Sequence, residues 1–72
     1  MSNSKHAQRI ELQRAEVHKA MLQWRAAEEF LNFADDPELV DYAIYDLEAT
    51  RRRYTYLLGV LKRELQEEEA LS

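Results

Sequence analysis

The chain predicts an all-α fold, an antiparallel two-helix hairpin, and three observations carry that prediction. Val40, Ile44, Leu47, Arg51, Tyr54, Leu58, Leu61 and Leu65 follow one another in alternating steps of four and three. That is the spacing of one continuous helical seam that needs a partner helix. A separate apolar run from Ile10 to Ala34 ends just before this ladder, and Asp36-Pro37 stands between the two. One glycine and one proline in 72 residues leave little from which to build turns, so turns are few. This length makes a single domain, residues 1–72, near the size at which one core is marginal.

The first helix is expected over about residues 4–33, with Ser2, Asn3 and Ser4 as candidate N-caps. Nothing from Lys5 to Phe33 breaks it. A turn is expected over about 34–36, where Asp36 suits an N-cap and Pro37 suits the first helical position, at which its missing N–H is no loss. The second helix then runs over about 37–68, with Glu38 and Asp41 near its positive N-terminal end. Gly59 lies inside it, reading as close packing or as a tolerated cost of ~1 kcal/mol.

Facing positions follow from the two apolar runs. Pairing Leu31 with Val40 brings Ala27 to Ile44, Trp24 to Leu47, Ala20 to Arg51, Val17 to Tyr54 and Ile10 to Leu61. Nearly every layer is then apolar on both sides. The same alignment sets Lys5 and Arg9 beside Glu64, Glu67, Glu68 and Glu69, groups badly placed for their own helix dipoles but complementary to each other. Arg51 is the only charge on the ladder. It is expected partly buried, its stem against Ala20 and Met21 and its head near Glu48 or Glu16.

One seam does not use up the apolar residues. Leu12, Leu22, Ala26, Phe30 and Phe33 form a second stripe on the first helix, and Tyr42, Tyr45, Ala49, Tyr56 and Val60 a second stripe on the second. A lone hairpin covers one stripe per helix, and large exposed patches mark interfaces. Two hairpins pairing into a four-helix bundle homodimer would cover them, with Leu12, Leu22, Tyr56 and Val60 in the interface. Phe30, Phe33, Tyr42 and Tyr45 cluster near the hairpin tip and are the candidate surface for an unlike protein partner.

Catalytic chemistry finds no support. The serines are Ser2, Ser4 and Ser72, all near the ends, and no nucleophile–base pair is evident. His6 and His18, twelve residues apart, lie roughly 18 Å apart along one helix and cannot share a metal. Cysteine is absent, so disulfides and thiolate metal sites are excluded. The Glu-x-x-His pairing of di-iron bundles is missing as well. No cofactor or small-molecule substrate is implied. With 33% charged and 46% hydrophobic residues the chain is neither disordered nor membrane-spanning, and its beginning reads as an ordinary cytoplasmic N-terminus. Arg51-Arg52-Arg53 with Lys62 and Arg63 is the one electrostatic anomaly. Arg52, Arg53 and Lys62 could contact phosphates, but three consecutive helical residues spread over about 200°, and the net charge of −4 argues against nonspecific nucleic-acid binding.

The run from Asp36-Pro37-Glu38-Leu39 through Asp41-Tyr42-Ala43-Ile44-Tyr45 to Leu47-Glu48-Ala49, followed by Arg53-Tyr54 and Leu57-Leu58, resembles the YaaL-like family of small bacterial proteins with a domain of unknown function. Trp24 is similar to a tryptophan in the first helix of that family, and the resemblance covers roughly residues 21–65. It implies a cytoplasmic bacterial protein and brings no activity, cofactor or catalytic residue. The expected function is therefore a non-catalytic protein–protein interaction module, an adaptor or regulator. The alternative is a nucleic-acid-associated accessory protein using the Arg51–Arg53 cluster.

Overall fold

A computed structural model describes residues 2–71, with side chains for residues 5–70. It is a helical hairpin: α1 spans Ser2–Phe33 and α2 spans Pro37–Leu71. The two lie along each other in a rod of 55 × 15 × 12 Å. Side chains of the N-cap candidates Ser2, Asn3 and Ser4 lie outside those described. The second helix runs three residues beyond the expected end at Glu68.

The turn forms as its residues dictate. The Ala34 N–H still donates to the carbonyls of Phe30 and Leu31, at 3.0 and 3.3 Å, closing α1. Asp36 then caps α2: its Oδ2 accepts from the Leu39 N–H at 3.3 Å, and its carbonyl accepts from the Val40 N–H at 2.8 Å. Pro37 opens the helix, where no N–H is needed. No described residue adopts a positive φ, so the reversal needs no glycine.

The seam on α1 runs through His6, Ile10, Gln13, Val17, Ala20, Trp24, Ala27 and Leu31, in unbroken steps of four and three. On α2 it runs through Val40, Ala43, Leu47, Thr50, Tyr54, Leu57, Leu61 and Glu64. The expected ladder is displaced by one residue at Ile44 and Arg51, while Leu58 and Leu65 are half-buried alongside Leu57 and Glu64. Ala43 is fully buried while Ile44 is 43% exposed, and Thr50 is half-buried while Arg51 is exposed. The reason is size. Helices approach closest over small side chains, so Ala20, Ala27 and Ala43 are the most deeply buried residues, at 1, 2 and 0% exposure. A ladder built on bulk selects the large neighbours instead. Thr50 is acceptable in the seam because its hydroxyl donates to the carbonyls of Asp46 and Leu47 at 2.9 and 3.1 Å.

The expectation of a half-buried Arg51 with its head on Glu48 or Glu16 is thus incorrect. Arg51 stands in solvent on the flank of the seam, and no ion pair holds it among the described residues. Its carbonyl accepts from the Thr55 hydroxyl at 3.0 Å. Gly59 is not a close-packing site either, since a Cβ there would meet nothing within 4 Å.

Two contacts near opposite ends of the rod fix the register. His6 Nδ1 lies 3.9 Å from Glu64 Oε2 at the open end, and the rings of Phe30 and Tyr42 meet edge to face at 6.2 Å near the turn. Both agree, within one residue, with the alignment that pairs Leu31 with Val40. Arg9 and Glu64 approach to 3.9 Å, as the opposed charges of the two helix ends require. Trp24, whose layer was expected to hold Leu47, makes a ring contact one layer further along. Its ring lies against Tyr54, with centroids 5.4 Å apart and planes 34° apart. Side chains on a helix lean toward its N-terminus. In an antiparallel pair Trp24 and Tyr54 therefore lean toward each other and meet over small Ala20 and Thr50.

Candidate interaction surface

The surface outside the seam was expected to carry two separate apolar stripes; the register merges most of them into one face. A shallow groove on one flank of the hairpin is lined by Gln23, Ala26, Ala27, Asp46, Ala49, Thr50 and Arg53. Residues seven apart on such helices repeat the same facing. Stepping by sevens from Gln23 and Ala26 reaches Phe30, Phe33, Lys19 and Leu12. The same step from Asp46, Ala49 and Arg53 reaches Tyr42, Tyr56 and Val60. The Phe30–Tyr42 ring contact joins the two helices on this flank. By this spacing Phe30, Phe33 and Tyr42, read as a partner surface, and Leu12, Tyr56 and Val60, read as a dimer interface, fall toward two ends of one face, although Tyr56 also borders the groove that holds Trp24 and Tyr54.

Most of that face is bare. Phe33 is 83% exposed, and Leu12, Tyr42 and Tyr56 stand largely in solvent, with Phe30 and Val60 half-buried. Leu22 and Tyr45 are also exposed but do not fall on it, because their spacing sets them on the outer backs of α1 and α2.

The basic cluster is split. Arg51 and Arg52 line a second open groove with Trp24, Tyr54, Thr55 and Tyr56, whereas Arg53 belongs to the groove beside Asp46 and Ala49. Arg52, Arg53 and Lys62 are all exposed. Among the described residues no three His, Asp or Glu side chains are placed to hold a metal ion. No helix among them is long and apolar enough to cross a membrane.

Charge is more strongly sorted than the total suggests, and this escaped the reading of the sequence. Residues 26–49, which bracket the turn, hold eight acidic side chains and no basic one. All ten Lys and Arg residues lie elsewhere, accompanied along the middle of the rod only by Glu11 and Glu16. Counting sign by segment rather than over the whole chain would have exposed it. No protein-family model, curated protein or solved structure matches the chain.

Proposed function

We propose that this chain is a small non-catalytic protein–protein interaction module, an adaptor or regulator of the bacterial cytoplasm, working as a homodimer built as a four-helix bundle. The observation that carries this reading is a core too small for the apolar surface around it. No large side chain is fully buried among the described residues, while Leu12, Phe33, Tyr42 and Tyr56 face solvent along one flank. Contiguous apolar patches mark interfaces, and chains of this size commonly gain stability by association. The resemblance to the YaaL-like family supports the bacterial, cytoplasmic setting and adds no chemistry. Light scattering should give twice the 8.6 kDa chain mass, and the melting temperature should rise with concentration. A monomer at high micromolar concentration would overturn the dimer.

A second reading has one observation behind it. The groove lined by Trp24, Arg51, Arg52, Tyr54 and Tyr56 combines aromatic faces with guanidinium groups, the pairing that holds single-stranded nucleic acid. In that case Arg51 and Arg52 would contact phosphates at this groove, while Arg53 lines the other groove and Lys62 neither. An anisotropy titration with a short single strand decides: binding at low salt that falls steeply with added salt supports this reading, and no binding removes it.

A further inference from the structure

We infer that the second copy docks head to tail, the acidic aromatic tip of each hairpin lying on the basic middle and aliphatic open end of the other, about a two-fold axis beside Ala49. This rests on the dimer reading above and adds its orientation.

The order of groups along the shared face carries the inference. From the turn outward come Phe33, then Phe30 with Tyr42, then Ala26 with Asp46, then Gln23 with Ala49. Beyond these come Lys19 with Arg53, Glu16 with Tyr56, and finally Leu12 with Val60. Reversing this order about the Gln23–Ala49 level makes it complementary to itself. Asp46 of one copy faces Lys19 and Arg53 of the other. Phe30 and Tyr42 face Tyr56 with Glu16 beside it, and Phe33 faces Leu12 and Val60. The small residues Ala26 and Ala49 fall at the centre, where two backbones must come closest. A two-fold interface requires this kind of self-complementarity.

Tip-to-tip pairing fails on the same residues. It sets Asp46 against Asp46 and Arg53 against Arg53, and brings two tips, each with eight acidic side chains against the single basic Arg25, side by side. Like charges so placed disfavour an arrangement strongly.

The chain has no cysteine, so single labels can be placed at will. Asn32→Cys and Glu48→Cys put spin labels on exposed positions off the proposed face. Glu48 lies almost level with the axis, whereas Asn32 lies about ten residues from it, so its two copies are offset by roughly 30 Å along the rod. Pulsed dipolar spectroscopy should therefore give a distance for Asn32 longer than that for Glu48 by more than 10 Å. Equal distances in a sample of dimer mass would overturn the head-to-tail arrangement and leave the dimer standing. A monomer mass with no dipolar coupling at either site would overturn both.

Charge exchange supplies an independent measurement. Asp46→Lys and Arg53→Glu should each weaken the dimer by about tenfold or more. A one-to-one mixture should recover it, since each variant then meets its opposite across the axis. Failure of the mixture to recover counts against the inference.

Discussion

The two halves of the hairpin solve the same packing problem with different residues. Toward the turn the seam is built on Ala20, Ala27 and Ala43, none more than 2% exposed. Toward the open end it is built on Ile10 and Leu61, at 5 and 7%, with His6, Gln13 and Glu64 among them. In the open half, His6 Nε2, Gln13 Oε1 and Glu64 Oε2 are shielded from solvent without a hydrogen-bond partner. Close approach over alanines leaves Trp24, Leu31, Val40 and Leu47 only half-buried in the seam, and further bulk of the tip half points outward as Phe33, Tyr42 and Tyr45. The open half keeps large aliphatic groups inside and tolerates polar atoms beside them. The lesson is that the half with the tightest seam is also the half with the most aromatic surface to offer a partner.

Deleting bulk from the open half should have the largest effect. Among the described residues, Leu61 and Ile10 are the two large aliphatic side chains buried in the seam. Leu61→Ala should cost about 2–4 kcal/mol, read as a lowered denaturant midpoint at fixed protein concentration. A loss under 1 kcal/mol would show that the open half frays and that the contrast between halves is one of order rather than of packing.

Adding bulk to the tip half should come next. Ala43 has no exposed surface, and a leucine there must separate the helices or leave its preferred rotamers. Ala43→Leu should cost about 1–3 kcal/mol by the same measurement. The same change at Ile44, 43% exposed and one residue away, should cost almost nothing. If Ala43→Leu were tolerated as well as Ile44→Leu, the seam would run where bulk alone places it.

The one-residue difference between those positions marks how much was legible in the sequence. Both helices, the break at Asp36-Pro37 and the cap were readable, because proline and a capping aspartate act locally. Val40, Leu47, Tyr54 and Leu61 were read correctly as inward-facing. Ala43 and Thr50 were missed because hydropathy rewards size, whereas helix contact rewards smallness, and because a threonine hydroxyl satisfied by its own helix looks polar in a string of letters. Arg51 gained false importance from the same slip. Once the seam is shifted, the outer stripes also change meaning, since their residues gather on one face. The ring contact of Trp24 with Tyr54 was missed for a different reason: the lean of side chains toward the helix N-terminus carries the two large rings toward each other from their own layers.

The polar groups of the open half offer a finer test. Glu64 meets His6 and Arg9 only at 3.9 Å, and the Arg9 side chain is 63% exposed, so the pair with Arg9 contributes little. Meanwhile Glu64 Oε2 is shielded without a hydrogen bond. Glu64→Leu should hold stability or raise it by up to about 1 kcal/mol, as removal of an unsatisfied buried acceptor predicts. A clear loss would mean that ionic contacts, not aliphatic packing, close the open end.

Gly59 gives the smallest effect and reports on the outside of the same half. It lies within α2 without a positive φ, and a Cβ added to it meets nothing within 4 Å. Glycine inside a helix is less favourable than alanine because the unfolded chain has more freedom to lose. Gly59→Ala should therefore raise stability by about 0.5–1 kcal/mol. The gain should not vary with protein concentration, because position 59 lies on the outer back of α2, away from the face proposed to meet the second copy. A destabilisation that grows with dilution would show instead that another backbone approaches Gly59 in the assembled protein, and that the open half is covered from its back as well as from its flank.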